Sequence, residues 1–427
     1  MSSCLERIDS LNASLNAFCV VDADSALEQA RLSAKRWSMG DPKSEIDGVP
    51  VSIKDVMPAA GWPLYYGSRT SGEVPIAHQD CEIVAHLRRL GAIILGATTT
   101  CEFGWKGVTD NPRYGVTRNP VNPNYSSGGS SGGAGVATAT GMASVNIGTD
   151  GGGSIRIPAS FCGVFGLKPS WGRFSASAAS PLTHLAHSGP LTRNAQDCDH
   201  FLKAWLGPQW RTIEAPSKRP LRVAWSLAPE AADVDPTVKH VFYEQLETLR
   251  SAGYNLERVP ADFLSTRRSF EVLWMAGFAA WLSDMPKPQR AKLDPGLALL
   301  LERASNLTAE DVTDAHQARI ASKLKAGAFF QRYDVLLTPT VSAPPLPVGM
   351  DHAQDPDGDW WDWAPFSHPM NITGLPAASV PIGVTEGGLP VGMQVAAGQS
   401  RDESIVSFCA KLDKMKTERR ERMLELA

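Results

Sequence analysis

The sequence predicts an α/β layer fold, and three observations carry that expectation. Helical patterns are followed by short apolar strands at several places along the chain. Those strands are brief Val/Ile/Leu runs bounded by Gly, Pro or Asp, which suits buried strands of a covered sheet. With 427 residues, 43% apolar and 20% charged, the chain can bury a large core. No clean linker or internal repeat divides it, so one continuous domain over 1–427 is expected.

Taken in order, Ser10 to about Trp37 reads as mostly helical from its Ala- and Leu-rich spacing. Asp47-Gly48 forms a turn into a strand ending at Lys54, because Val49, Val51 and Ile53 alternate. Cys81 to Leu90 suits a helix stopped by Gly91, followed by the strand Ala92–Leu95 closed at Gly96. Leu221 to Ser226 is a strand. Pro236 to Ser251 is an amphipathic helix capped by Asp235, with Val238, Val241, Phe242, Leu246 and Leu249 on one face. Asp334 to Thr338 is a buried strand. Ala378–Val384 and Val391–Val395 pair around a turn at Glu386-Gly387-Gly388, and a helix from about Asp402 to Arg419 closes the chain.

Bulk properties narrow the function classes. A net charge of −4 gives no electrostatic reason to expect nucleic acid or an anionic membrane as partner. The N-terminus is charged early and lacks a signal-peptide apolar core, and no stretch is long and apolar enough to cross a membrane. Seven widely spaced cysteines oppose both a disulfide framework and a structural zinc site, so a reducing cytoplasm is the expected location. No metal-ligand pattern appears, and no cofactor or metal is expected.

The segment from Gly128 to Gly153 is unlike the rest: ten of its 26 residues are glycine. It carries no charge run and is interrupted by Val136, Met142, Val145 and Ile147. A closely packed, buried backbone explains this better than a linker does. Several catalytic templates fall on or near it. Gly128-Gly129-Ser130-Ser131-Gly132 fits G-x-S-x-G, which would make Ser130 the nucleophile of a Ser-His-Asp α/β-hydrolase, with histidines from His184 to His368 downstream. That elbow needs an entering strand, and Asn119-Pro120-Val121-Asn122-Pro123 cannot supply a central one. Ser322-Lys323-Leu324-Lys325 fits S-x-x-K, but it lies in a charged helical stretch without its companion motifs. The glycines lack the lysine of a P-loop and the order of a dinucleotide site.

A longer ordered set remains. Gly128 to Gly133, followed by Gly148-Thr149-Asp150-Gly151-Gly152-Gly153-Ser154-Ile155-Arg156-Ile157-Pro158-Ala159, resembles the amidase signature family. So do Gly48 to Asp55, Gly96 to Gly104, Phe165 to Pro169 with Ser188 to Arg193, Asn371 to Ala377 and Gly388 to Gln394. The resemblance spans nearly the whole chain. It implies one domain with a mixed twisted β-sheet sandwiched between α-helices: a Ser/Gly-rich catalytic core at about 48–195, and a C-terminal half at about 220–420 completing the sheet and substrate pocket. It implies a free-standing amidase that cleaves a small-molecule amide through a Ser-cisSer-Lys triad. Ser154 would be the nucleophile and Lys54 the base. Ser130 would relay the proton, with Ser131 the adjacent alternative. A homodimer is the assembly kept open.

These residue types suit that chemistry. A serine hydroxyl needs a base, and lysine serves only once burial lowers its pKa from about 10.4. Lys54 sits among Val51, Ile53 and Val56, while strand alternation turns Asp55 to the other face. Gly151, Gly152 and Gly153 offer backbone N–H groups to an oxyanion, each worth about 3–4 kcal/mol. Two positions depart from the family's pattern: Gly151, where a larger residue is usual, predicts a looser edge to that hole, and Ser127 stands where proline is common. Asp150 and Arg156 read as an ion-pair network that rigidifies the loop, in preference to substrate contacts, and Glu102 and Lys168 read the same way. Trp105, Trp360, Trp361, Trp363 and Phe366 either wall an aryl or alkyl pocket or pack a loop onto the surface; the sequence leaves both open. Two other readings stay open: the glutaminase subunit of a tRNA-dependent amidotransferase, opposed by the unlike region Phe270 to Leu300, and a hydrolase of a urea- or carbamate-like bond. A catalytically dead binding protein is the weakest, because all three triad positions are intact.

Overall fold

The computed structural model describes residues 1–70, 76–174, 182, 184–211, 220–228, 233–352 and 358–425. Its strands are β1 (Phe18–Val21), β2 (Pro50–Lys54), β3 (Ile93–Thr98), β4 (Asp110–Asn111), β5 (Gly115–Val116), β6 (Val145–Asp150), β7 (Phe165–Lys168), β8 (His187–Thr192), β9 (Val223–Trp225), β10 (Leu256–Arg258), β11 (Val335–Pro339), β12 (Ala377–Val384) and β13 (Pro390–Ala396). Its helices are α1 (Ser2–Leu15), α2 (Ala23–Ser38), α3 (Glu82–Arg89), α4 (Gly132–Thr140), α5 (Arg156–Cys162), α6 (Ala195–Leu206), α7 (Pro236–Ser251), α8 (Arg267–Trp281), α9 (Lys287–Arg290), α10 (Pro295–Ala304), α11 (Ala309–Arg332), α12 (His368–Thr373) and α13 (Asp402–Glu425).

Among the described residues, eleven strands form one mixed sheet in the order β1-β3-β2-β6-β8-β7-β12-β13-β11-β9-β10, with β4 and β5 a separate ribbon. The pairs β3/β2 and β2/β6 are parallel, whereas β6/β8, β8/β7, β7/β12 and β12/β13 are antiparallel. Alternation along β3 shows why both faces need cover. Ile94 enters the cluster holding Leu87, Phe201, Phe242 and Phe408, while Ile93 and Leu95 enter the opposite one with Ile8, Leu15, Val136 and Ala159. Thus α3, α6, α7 and α13 cover one face, and α1, α4 and α5 the other. The predicted α/β fold, a mixed sheet between helix layers, is the one observed.

Most predicted elements stand within a residue or two of their places. The helix expected over Ser10 to Trp37 is two helices separated by β1. Asn16 ends α1 in the left-handed conformation (φ 54°, ψ 52°), and its neighbour Asn12 holds the Ala17 and Phe18 N–H groups. Asp22 then caps α2 by accepting from Ser25 N. Asn and Asp are the residues that perform these two jobs, so Ala/Leu spacing concealed a legible break. The strand expected to close at Gly96 continues to Thr98, because Gly96 lets Val20 of β1 pack directly on it.

Candidate active site

β2 and β6 run parallel with Ile53 opposite Ile147, so Lys54 leaves the end of β2 beside Thr149 near the end of β6. The C-terminal ends of adjacent parallel strands are where α/β sheets place their sites. α4 packs against β6, with Ser130 and Ser131 just ahead of its first turn. α5 begins two residues after Ser154. Small residues permit this approach: a Cβ at Gly148 would stand 2.8 Å from Ser131 Oγ. The loop that carries Ser154 turns through Gly153 at φ 141°, a conformation open to glycine.

Lys54 is fully buried, and its Nζ donates to Ser130 Oγ at 2.6 Å and to Thr149 Oγ1 at 3.0 Å. Burial pushes its pKa down to about 8, against smaller opposing effects of Cys101 and Asp150. The Gly129–Ser130 peptide is cis. Ser131 faces elsewhere: its Oγ donates to Thr149 O at 3.1 Å and accepts from Thr149 N at 3.2 Å, tying α4 to β6. Lysine therefore meets Ser130 and not Ser131. Ser131 N donates to Ser154 O at 3.1 Å, which sets the nucleophile candidate beside the pair. The Ser154 hydroxyl itself makes no hydrogen bond among the described residues. Asp55 turns away as expected: it accepts from Tyr65 N and Gly67 N, and burial raises its pKa to about 7.

The loop from Gly151 to Gly153 departs from the expected three-donor arrangement. Gly153 N is already committed to Asp150 Oδ1 at 2.8 Å. The N–H groups of Gly151, Gly152 and Ser154 make no hydrogen bond among the described residues. Nor is the Gly151 edge loose. A Cβ there would lie 2.8 Å from Trp274 Cζ3, and one at Gly152 would meet Phe270 at 2.6 Å and Trp360 at 2.8 Å. An indole from α8 fills the space that a larger residue at 151 would take.

Asp150 and Arg156 form the rigidifying network. Both side chains are wholly buried, and Arg156 Nη2 lies 2.8 Å from Asp150 Oδ1. Arg156 also donates to Ser367 O, Gln394 Oε1 and Asn371 Oδ1. Burial alone would raise the Asp150 pKa, but the guanidinium outweighs it and holds the carboxyl well below its ordinary range. Glu102 and Lys168 support by other means than ion pairing. Glu102 accepts from Ser68 Oγ and Asp294 N, both at 2.6 Å. Lys168 Nζ donates to its neighbour's carbonyl, Pro169 O, at 3.1 Å, and burial first and Arg156 second drive its pKa well down. Ser127 Oγ donates to Thr117 O at 3.0 Å, bracing the start of the glycine-rich turn.

The five aromatic residues do not act together. Trp105, Trp360, Trp361 and Trp363 are buried in one aromatic cluster with Phe270, Trp274 and Phe278. Phe366 is separate, packed with Val234, Val238, Val241 and Val391. Trp360 touches the Gly152 backbone, whereas Trp363 stacks on Phe161 at 5.7 Å. Sequence reasoning missed Thr149, Gly104, Phe270 and Trp274. Thr149 lay inside the quoted motif, yet only the β2/β6 register reveals that it holds Lys54. No histidine hydrogen-bonds Ser130 or Ser154 among the described residues. His368, for example, stacks on Phe270 at 4.8 Å and contacts Thr266, and burial lowers its pKa to about 3. No cluster of metal-ligating side chains occurs among the described residues either.

Comparison with known proteins meets this geometry at the level of the whole chain. The amidase family model matches residues 1–406. This chain belongs to the amidase family. An acylamidase of Rhodococcus erythropolis is 32% identical over 430 residues, covering 96% of this chain and 90% of that protein. An indoleacetamide hydrolase of Bradyrhizobium diazoefficiens is 31% identical, covering 96% and 81%. A crystal structure of an amidase superposes with a TM-score of 0.88 at 27% identity, over 97% of this chain and 95% of that one. The chain is an amidohydrolase acting on amides.

Proposed function

We propose that this enzyme hydrolyses a carboxamide C–N bond of a small molecule through an acyl-enzyme on Ser154. The observation that carries the reading is the buried 2.6 Å contact between Lys54 Nζ and Ser130 Oγ, made by a lysine whose pKa burial has lowered to about 8. In its neutral form, with Thr149 Oγ1 beside it, Lys54 can turn its lone pair to the Ser130 hydroxyl. Ser130 passes its proton to Lys54 while taking one from Ser154, whose oxygen attacks the amide carbon. The Ser130–Ser154 contact is the one that substrate must close, as catalytic hydrogen bonds often tighten only in the complex. The free N–H groups of Gly151 and Gly152 suit the developing oxyanion, in a site that buried rings keep dry. The proton then returns through Ser130 to the amine nitrogen, the C–N bond breaks, and water releases the acyl group by the reverse relay.

Fluorophosphonate labelling and peptide mapping test this reading, together with turnover of amides, anilides, amino-acid amides and ureido compounds. The adduct is expected on Ser154, with ammonia or amine released from at least one amide class. An adduct on Ser130 would restore the nucleophile-elbow reading and overturn this one.

A further inference from the structure

Beside the triad, two bulky side chains hold an unusual backbone. Tyr66 and Phe103 have φ of 54° and 51°, the left-handed region that residues of this size rarely adopt. Such conformations persist where the surroundings impose them, and they gather at functional sites. Here Phe103 N donates to Tyr66 O at 2.8 Å, and the two rings stack at 5.6 Å with 20° between their planes. Trp281, the last residue of α8, meets Tyr66 at 5.8 Å and 85° and Phe103 at 5.6 Å and 77°. The three rings form one mutually packed corner, each partly exposed.

Its placement gives the corner a purpose. Gly104, joined to Phe103, packs on the base end of the triad: a Cβ there would stand 3.2 Å from Ser130 Oγ and 3.9 Å from Lys54 Nζ. Gly104, Phe103, Tyr66 and Trp281 are all partly exposed, whereas Phe270, Trp274, Phe278 and Trp360 behind them are buried. Among the described residues no cation lies over any of the three rings, and the nearby Asp55 carboxyl is turned to backbone N–H groups. The corner therefore favours a neutral, flat group.

We propose that Tyr66, Phe103 and Trp281 form an aryl-binding subsite for the amine portion of the substrate. The inference rests on the amidase reading, because it is the return of the proton at Ser130 that places the leaving nitrogen on this side. Stacked and edge-on rings complement an aromatic ring better than an alkyl one. Amides of aromatic amines are accordingly the favoured class.

The test compares kcat/KM for acetanilide, with its ring on the amine, and phenylacetamide, with its ring on the acyl group. Trp281→Leu and Phe103→Leu should each lower the acetanilide-to-phenylacetamide ratio by about tenfold, and Trp281→Phe should keep most of it. Fluorophosphonate labelling of Ser154 checks that each variant is folded. A ratio unchanged in both leucine variants, with labelling intact, overturns the subsite and leaves the amidase reading standing. So does a wild-type enzyme that cleaves phenylacetamide while ignoring acetanilide. Absence of both labelling and amide turnover in the wild type overturns the two together.

Discussion

The proposed role of Lys54 as base follows from where β2 ends. Fully buried, with two hydroxyls as its hydrogen-bond partners, its ammonium loses hydration that the weaker pulls of Cys101 and Asp150 do not make good, and its pKa falls from 10.5 to about 8. Acylation should therefore fall tenfold per pH unit well below about pH 8 and level off above it. The same shift has a stability consequence. Between about pH 8 and 10.5 the unfolded chain binds the lysine proton and the folded protein does not, so stability through this group rises with pH across that window. The melting-temperature advantage of Lys54→Met over wild type should accordingly shrink from pH 7 to pH 10; a constant gap would contradict the shift. Ser130→Ala should lower kcat/KM by about 10²–10⁴-fold, while Ser131→Ala, which removes the hydroxyl bonded to the Thr149 backbone, should act mainly on stability. Equal kinetic losses would contradict the assignment of the relay.

At the scale of elements, the site depends on how α8 and α5 bear on one loop. Trp274 of α8 stands where a Cβ at Gly151 would go, so Gly151→Ala should lower activity and stability in the wild type. It should be better tolerated in the Trp274→Leu background. A double-mutant cycle should give a coupling of about 1–3 kcal/mol, and strict additivity would mean that the loop does not rest on the indole. Arg156 carries a different load: Arg156→Met leaves the buried Asp150 carboxylate without its cation, at a cost of about 3–5 kcal/mol in denaturant unfolding. A change below about 1 kcal/mol would show the network to be dispensable. Asp150 and Arg156 were legible as a supporting pair because opposite charges bracket a glycine-rich turn. Trp274 was not, since nothing local in α8 says which loop its indole will meet.

At the scale of the molecule, one sheet joins strands from both halves of the chain, and the loops that carry the candidate residues follow the ends of β2 and β6. Local patterns were enough to read α7, β11 and the β12/β13 pair, because each announces itself by period, cap or turn. The order of strands in the sheet, and therefore the Lys54–Thr149 contact, depends on long-range pairing that no local pattern encodes. The tryptophans show the same limit. Their number left a pocket wall and a self-packed surface loop both open, and only packing divides Trp360, beside Gly152, from Phe366 in a separate cluster and brings forward Tyr66, Phe103 and Trp281.

In the proposed mechanism lysine, acting through Ser130, activates Ser154. The pH dependence of Ser154 acylation tests it directly, measured by fluorophosphonate labelling in the wild type, in Lys54→Ala and in single histidine variants such as His187→Gln and His368→Gln. The wild type should show a limb near pH 8 that Lys54→Ala abolishes, slowing labelling by about 10²–10⁴-fold at pH 7, while the histidine variants keep it. A limb that survives Lys54→Ala and vanishes with one histidine would contradict the account.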